Sequence, residues 1–353
     1  MKAYIRSAVS ISPQKTFAAA PFLNEVAAYH TTRLSCIEPD YNEAIGAKLI
    51  RRMSRIIKMS VASALACLKD AGLSQPGAII TGTAYGCLED TGTFLTSMVE
   101  FGEEPISPVA FVQSTHNTIG AQIALLLKCS CYNNTFVSGG ASFENAVIDG
   151  MMLLNEGYSN VLVGGMDEIT DMSYAILSRS GLYKRSPLSN LDLFKTNSKG
   201  TIAGEGAAFF TLANAASQND LAGVDAVSTF YKPKDIAETV AHIKSFLTAQ
   251  AISGSDINLL ITGKNGDEKG DEIYEYLQQS LFEAAPAITY KNLCGEYPTS
   301  SAFALWMGAN IISNNNIPAL FGLKSNPENK INKVLIYNHY NNIHHSLILI
   351  SSC

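Results

Sequence analysis

The 353-residue chain is poor in charge, because only 16% of its residues are Asp, Glu, Lys or Arg. Its 25 Lys and Arg residues are outnumbered by 31 Asp and Glu residues, which gives a net charge of -6 at pH 7. A surface that binds nucleic acid or an anionic membrane needs an excess of positive charge, so neither partner is expected. A charged fraction this low predicts that a protein partner covers part of the surface.

Long apolar runs are also missing. No run reaches the ~20 residues that a membrane-spanning helix needs, so we expect no membrane span. Residues 1–5 read as the start of a β-strand rather than as a signal peptide. These two absences favour a soluble, cytoplasmic protein.

The seven cysteines are odd in number and scattered, so they do not form a disulfide framework. Cys129 and Cys131 are two apart on a predicted strand, where their side chains point the same way. A metal site there is disfavoured, because no second Cys/His pair has ligand spacing. Asp167 and Glu168 lack a third ligand, and no glycine-rich dinucleotide fingerprint follows an early strand. We expect neither a metal nor a cofactor.

Apolar, strand-like runs alternate with amphipathic helices, which predicts an α/β layered fold. One helix is marked by an apolar face with helical spacing: Phe143, Ala146, Val147, Gly150, Met151 and Leu154. The order of strands and helices after residue 216 repeats the order before it, and a strand ends in Ile-Thr-Gly in each half (80–82 and 261–263). We therefore predict two pseudo-repeated halves, residues 1–215 and 216–353.

Residues 133–144 (NNTFVSGGASFE) read as a buried strand, a tight turn and the start of that helix. Such a turn displays a nucleophile at the positive end of a helix, but this one holds no cysteine. Ser138 is a candidate nucleophile, although a turn serine bonded to local backbone is the commoner arrangement. Ser142 is predicted to be the N-cap of the helix.

Several segments in one order resemble the β-ketoacyl synthase family of the thiolase fold, from about residue 45 to residue 350. They are 51–55 (RRMSR), 68–73 (LKDAGL), 111–117 (FVQSTHN), 160–165 (NVLVGG) and 204–207 (GEGA). The resemblance implies a layered α-β-α-β-α architecture built from two pseudo-repeated halves. It also implies decarboxylative condensation of acyl groups by one cysteine and two histidines.

None of those three catalytic residues stands at its expected position. The cysteine position matches Val137 or Gly139, depending on the direction of counting. The first histidine position matches Gly263, and the second matches Glu296, five residues after a lysine that persists as Lys291. We expect Glu296 and Lys291 to form an internal ion pair rather than an acid–base pair.

The resemblance therefore implies a β-ketoacyl synthase-like subunit that does not condense by itself, similar to chain-length factors. Its expected partners are an active ketosynthase, as a heterodimer, or a second copy, together with an acyl carrier protein. Fatty-acid, polyketide or aryl-polyene-type elongation is the implied setting. Phe143, Tyr340 and His344 are predicted to line the substrate tunnel, and at most one of His344 and His345 is expected to face inward.

Two alternatives remain open. In the first, the chain processes acyl-carrier-protein thioesters as an acyltransferase, hydrolase or decarboxylase, using Ser138 as acyl acceptor or Glu296 as base. In the second, it binds an acyl chain or a carrier protein without chemistry. Tight binding by an isolated homodimer would favour the second alternative.

Overall fold

The computed structural model describes residues 2–18, 22–102, 108–196, 198–323 and 330–353. In this part of the chain the strands are β1 Ala3–Ile11, β2 His30–Thr31, β3 Ala78–Gly82, β4 Tyr132–Phe136, β5 Asn160–Asp167, β6 Leu188–Ser189, β7 Gly206–Ala213, β8 Ala222–Tyr231, β9 Leu259–Thr262, β10 Ala287–Thr289, β11 Lys333–Tyr340 and β12 His344–Ser351. The helices are α1 Tyr41–Ala44, α2 Arg55–Asp70, α3 Leu88–Phe101, α4 Pro108–Gln113, α5 Thr118–Leu127, α6 Ser142–Asn155, α7 Asp171–Arg179, α8 Ile236–Ala249, α9 Glu272–Ser280, α10 Lys291–Cys294 and α11 Ser301–Asn314.

All of these strands except β2 and β6 form one sheet, in the order β10-β9-β11-β12-β8-β1-β7-β5-β3-β4. The order is symmetric about the contact between β1 and β8, which pair antiparallel. On one side β3 runs parallel to β4 and β5, and on the other β9 runs parallel to β10 and β11. The chain thus builds the same five-stranded arrangement twice, which confirms the two pseudo-repeated halves. The predicted division after residue 215 falls between β7 and β8, and the exact boundary stays a prediction.

The helices form three layers around the two half-sheets. Helices α2 and α5 pack with apolar residues of β1, β3, β5 and β7 in one core. Helices α6 and α11 lie between the half-sheets, and their core contains side chains from both. Helices α8 and α9 pack on the far face of the second half-sheet. The resulting α-β-α-β-α order confirms the predicted fold class.

Two local predictions are wrong. Cys129 and Cys131 lie in the turn before β4 and not on the strand, because Lys128 adopts a left-handed conformation (φ 51°) that ends α5. Ser142 is the first residue of α6 rather than its N-cap, which is Ala141. The Ser142 hydroxyl instead accepts a hydrogen bond from the Ser138 backbone N–H (2.8 Å) and donates one to the Gly139 carbonyl (2.7 Å). The serine therefore fastens the turn that precedes its helix.

Candidate functional site

The turn between β4 and α6 is the structural counterpart of a nucleophile elbow. After β4 come Val137 and Ser138, and then a single 3₁₀ turn, Gly139–Ala141, leads into α6. Gly139 has φ +59°, a left-handed conformation that glycine adopts without steric cost. The geometry of an elbow is therefore present without a nucleophilic side chain at its tip.

A hairpin from the other half of the chain covers this elbow. Strands β11 and β12 are joined by a tight turn at Asn341 and Asn342, both left-handed, so that Tyr340 pairs with His344. A Cβ added to Gly140 would lie 2.5 Å from Tyr340 Cβ, and one added to Gly139 would lie 3.0 Å from His344 Nε2. A side chain at Gly140 would overlap Tyr340 at its Cβ, which moves only with its backbone, whereas one at Gly139 would require the His344 ring to shift slightly. Gly140 therefore has no room for a larger side chain, and Gly139 has little.

The two remaining elbow residues do not supply a nucleophile either. The Val137 side chain is apolar and its residue is 45% exposed. Ser138 is half-buried, and no histidine or carboxylate among the described residues makes a hydrogen bond to its hydroxyl. A serine hydroxyl needs an adjacent base before it can attack a thioester. Ser138 therefore has the right place in the turn without the group that would activate it.

Gly263, which the sequence predicts to stand at the first histidine position, is closed by its neighbours. Gly263 follows β9, and its backbone N–H donates a hydrogen bond to the Tyr337 carbonyl of β11 (2.9 Å). A Cβ at this position would collide with Asn338 Oδ1 and would lie 2.8 Å from the Tyr274 hydroxyl. A histidine side chain would require Asn338 to leave its buried place on β11.

Glu296, which the sequence predicts to stand at the second histidine position, forms a buried ion pair with Lys291. The Lys291 ammonium donates to both carboxylate oxygens, at 2.8 and 2.7 Å, and to the His339 carbonyl at 3.3 Å. Asn265 donates a further hydrogen bond to Glu296 Oε2 (2.6 Å). Burial raises the pKa of Glu296, and Lys291 opposes that rise. Because both side chains are at most 1% exposed and fully paired, the carboxylate is not free to act on a ligand.

The predicted tunnel residues occupy different surroundings. Phe143 is fully buried in the middle helix layer, 5.6 Å from the ring of Phe210 and against Gly165. Tyr340 and His344 lie together over the elbow, where the two hydroxyls of Tyr340 and Tyr85 are 3.4 Å apart. The structure brings Tyr340 and His344 next to each other, with Phe143 below them in the core. A tunnel formed by these three residues stays a prediction.

A small polar cavity of about 350 Å³ lies beside Asn265. His339 borders it and is neutral at pH 7, because burial lowers its pKa to about 3. The His339 ring donates from Nε2 to the Gly270 carbonyl (2.8 Å) and stacks on Tyr274. The cavity is lined by Ser180, Gly181, Leu182, Thr201, Asn265, Asp267, Gly270, His339, Asn341 and Asn342. Hydroxyl and amide groups of this kind suit a polar, uncharged ligand better than an alkyl chain.

The two histidines at the start of β12 face different environments. His345 is buried, and its ring stacks on Phe230. A hydrogen bond joins His345 Nδ1 and the Tyr337 hydroxyl (2.9 Å). Burial lowers the pKa of His345 to about 4, so it is also neutral at pH 7. His344 is half-buried and lies over Gly139. Neither ring contacts Glu296 or Lys291 through a hydrogen bond in the described part of the chain.

Sequence reasoning missed one buried acid, Glu144. It lies in the first turn of α6, is fully buried, and its carboxyl oxygens lack a well-placed hydrogen-bond partner among the described residues. Burial raises the pKa of Glu144, while the hydroxyls of Ser301 and Ser346 and the charge of Lys291 oppose that rise. In the sequence, Glu144 is next to the apolar stripe of α6 rather than on the opposite face, and this position was the signal that its side chain is buried.

The described residues contain no cluster of three His, Cys, Asp or Glu side chains that could hold a metal ion. No helix within the described ranges is long and apolar enough to cross a membrane. Cys129 and Cys131 are accordingly a pair without a third ligand.

The chain is similar to known proteins, over part of its length in sequence and over its whole length in fold. Residues 35–208 match the family model described as beta-ketoacyl synthase, N-terminal domain. Among curated proteins, the 3-oxoacyl-[acyl-carrier-protein] synthase 2 of Synechocystis sp. is 26% identical over 184 residues, which are 49% of this chain and 44% of that protein. The match therefore spans less than half the length of this curated relative.

Solved structures resemble the whole chain. A β-ketoacyl synthase from Burkholderia phymatum STM815 superposes with a TM-score of 0.82 at 15% identity, covering 100% of this chain and 99% of that one. The ishigamide ketosynthase/chain length factor superposes with a TM-score of 0.80 at 17% identity, also covering 100% and 99%. At such identities this likeness shows the fold alone.

Proposed function

Since residues 35–208 match the model of the β-ketoacyl synthase N-terminal domain and the whole chain shares the fold of solved ketosynthases, we propose that this chain is a non-condensing subunit. In this proposal it pairs with an active ketosynthase and shapes the site in which that partner extends an acyl chain on a carrier protein. The observation that carries the proposal is the cover that Tyr340 and His344 place over Gly139 and Gly140.

Condensation needs a soft nucleophile at the elbow and donors aimed at the negative charge that develops on the thioester oxygen. At the two predicted histidine positions, the space is taken by the Asn338 side chain and by the Lys291–Glu296 ion pair. Restoring a cysteine at the elbow would leave both of these positions closed. This favours a settled non-catalytic role over an active site that lacks a single group.

A free sheet edge supports the proposed pairing. Strand β4 is the last strand of the described sheet and pairs only with β3, so no strand of the described residues lies along its other side. Tyr132 at its start and Val137 just after its end are 39% and 45% exposed, and Met152 of the adjoining α6 is 54% exposed. An edge strand with apolar neighbours is a template for pairing with another chain. The low charged fraction of the sequence favours the same conclusion.

The test is co-expression with the cognate active ketosynthase, followed by incubation with acyl- and malonyl-carrier protein and intact-protein mass spectrometry. We expect a 1:1 complex in which the partner becomes acylated and this chain does not. The matched control is a complex whose partner has alanine in place of its nucleophilic cysteine, which should show no adduct on either chain.

A stoichiometric acyl adduct on this chain would contradict the proposal. If the adduct disappeared in Ser138→Ala, the chain would be an acyl-transferring or hydrolytic enzyme that uses Ser138. Loss of turnover in Glu296→Gln, with folding retained, would assign the chemistry to Glu296. Failure to associate with the partner under all tested conditions would remove the pairing.

The pathway of the proposed activity is inferred from the resemblance to the family. We propose elongation of the fatty-acid, polyketide or aryl-polyene type in the cytoplasm, with an acyl carrier protein as the shared substrate carrier. A panel of carrier proteins that bear acyl groups of different chain lengths would be tested as substrates of the complex. The longest product that accumulates would identify the pathway class.

A second candidate is binding without chemistry, by a homodimer of this chain. The cavity of about 350 Å³ beside Asn265 favours it, because its amide and hydroxyl lining suits the polar arm of a carrier protein. We expect Ser180→Trp, at the cavity wall, to abolish such binding in calorimetry, while Ser280→Trp on α9 serves as the control. Equal affinities in both variants would remove this candidate.

A further inference from the structure

Two cysteines lie side by side in the turn that leads into the edge strand. Helix α5 ends at Leu127, and the left-handed Lys128 reverses the chain so that the Cys129 N–H bonds to the Ala124 carbonyl (2.9 Å). This reversal brings Cys129 Sγ within 2.9 Å of Cys131 Sγ, and the two thiols share a hydrogen bond. Both residues are half-buried, so solvent reaches the pair.

The other five cysteines are in different situations. Cys67, Cys87 and Cys294 are buried, Cys36 lies half-buried against the Glu205 carboxylate, and Cys353 is exposed near the end of the chain. No other two sulfur atoms in the described ranges are hydrogen-bonded to each other. The pair is therefore distinguished from the rest by proximity and access together.

We propose that Cys129 and Cys131 form a redox modification site, which a low-molecular-weight disulfide such as oxidised glutathione converts into an intramolecular disulfide. Neighbouring thiols favour this outcome, because the second step is intramolecular and does not wait for a second collision. A metal occupant is disfavoured by the lack of a third ligand in the described part of the chain.

The reaction balances in two exchange steps. The Cys129 thiolate attacks one sulfur of oxidised glutathione, so that a mixed disulfide forms and one glutathione thiolate leaves. Cys131 then loses its proton to solvent and attacks Cys129 Sγ, which forms the protein disulfide and releases the second glutathione. Two protein thiols are oxidised by two electrons, and one glutathione disulfide is reduced to two thiols.

The geometry favours the second step. Cys131 Sγ lies 2.9 Å from Cys129 Sγ, so it is already next to the sulfur that it attacks. Burial, together with the neighbouring Cys129, raises the pKa of Cys131 to about 12, so this thiol stays protonated at neutral pH until that attack.

The test uses the full chain, reduced and then incubated with oxidised glutathione, with remaining thiols alkylated and cysteine peptides identified by mass spectrometry. We expect two of the seven cysteines, Cys129 and Cys131, to be protected from alkylation as one intramolecular disulfide that carries no glutathione. At a fixed concentration of reduced glutathione, we expect half-conversion of the pair to need at least ~10-fold less oxidised glutathione than glutathionylation of the exposed Cys353, because the intramolecular second step favours the disulfide at equilibrium.

Single variants separate the two roles. Cys131→Ser should retain one glutathione on Cys129, whereas Cys129→Ser should leave Cys131 alkylated as a free thiol. Cys353→Ser is the control and should leave oxidation of the pair unchanged. The proposal is overturned if Cys129 and Cys131 stay fully alkylated in wild type while Cys353 holds glutathione. Peptide mapping of the wild type decides the question by itself if a serine variant does not fold.

Discussion

At the scale of single residues, the side chains around the elbow decide which residues fit in it. Gly139 and Gly140 face Tyr340 and His344, which reach them from a hairpin in the other half of the chain. Because protein interiors are close-packed, Gly140 cannot gain a nucleophilic side chain unless Tyr340 moves. At this position the packing, and not only the residue type, therefore excludes a nucleophile.

Gly140→Ala should lower the free energy of unfolding by about 1–3 kcal/mol, because its Cβ would overlap Tyr340 Cβ. In the double variant Gly140→Ala with Tyr340→Gly, the loss in free energy of unfolding should be smaller than the sum of the two single losses, by on the order of 1 kcal/mol. Denaturant unfolding measures both. The control is Gly92→Ala in α3, where a Cβ has room and which should be neutral or stabilising. If the two single losses in free energy of unfolding simply add, the contact between Gly140 and Tyr340 does not decide which residues fit in the elbow.

Lys291→Met should destabilise the fold by about 3–5 kcal/mol, since it leaves the buried Glu296 carboxylate without its cation. Replacing both members, as Lys291→Met with Glu296→Met, should restore much of that loss, because no unpaired charge remains. The measurement is again denaturant unfolding at pH 7. A double variant as unstable as the worse single variant would mean that the pair does not act as a unit.

His339 should make the fold less stable in acid. Burial holds its pKa at about 3, below the ordinary 6.5, so between these values the unfolded chain binds the proton and the folded chain does not. Stability from this group is therefore complete above pH 6.5 and is lost as the pH falls towards 3, with a slope of up to about 1.4 kcal/mol per pH unit. Asp167 and Asp271, whose pKa values burial raises to about 6, act in the opposite direction.

The comparison of wild type with His339→Gln isolates this contribution, because the variant keeps a donor for the Gly270 carbonyl and shares both aspartates. We expect the stability advantage of the wild type to shrink as the pH is lowered from 6.5 to 4. Urea unfolding at several pH values measures it. A constant difference across that range would show that His339 titrates normally.

At the scale of elements, the apolar periodicity of α6 predicted its buried face correctly, and all six of the stripe residues are in the protein interior. Helices α3 and α4 were not predicted. None of the residues in either helix is buried, so the apolar side chains of these helices do not face the core. The turn before β4 was misread as strand, because a left-handed lysine leaves no signature in the sequence.

The edge of β4 should be the partner-binding element. Replacing Tyr132 and Val137 by Glu would place two charges on the exposed edge without disturbing the core. We expect the 1:1 complex with the ketosynthase to weaken at least ~10-fold in size-exclusion or calorimetric assays, and circular dichroism to be unchanged. The control is Tyr276→Glu on α9, which is 47% exposed in the outer layer of the other half. Equal loss in both variants would argue against the edge.

At the scale of the whole molecule, the two half-sheets share the helix layer between them. Phe143 of α6 and Phe303 of α11 belong to one core together with Val163 and Ile261, one from each half-sheet. Neither half can therefore bury its inner face without the other. The two halves should behave as one cooperative unit, even though their topology repeats.

Phe303→Ala should lower the free energy of unfolding by about 3–5 kcal/mol and shift a single transition in both near- and far-ultraviolet circular dichroism. Leu277→Ala, in the outer core of the second half, serves as the comparison and should shift the same transition by about 2–5 kcal/mol. Two separated transitions in either variant would show that the halves unfold independently.

The sequence by itself determined the fold class and the repeat, and it predicted which positions lack the catalytic residues, because each of these is carried by local patterns and by the order of motifs. Only the tertiary structure decided what surrounds those positions. Gly140 meets Tyr340, and Gly263 meets Asn338, across long stretches of chain. The pairing of Cys129 with Cys131 also depends on how one turn folds. Such contacts follow from the packing of distant side chains, which no local pattern encodes.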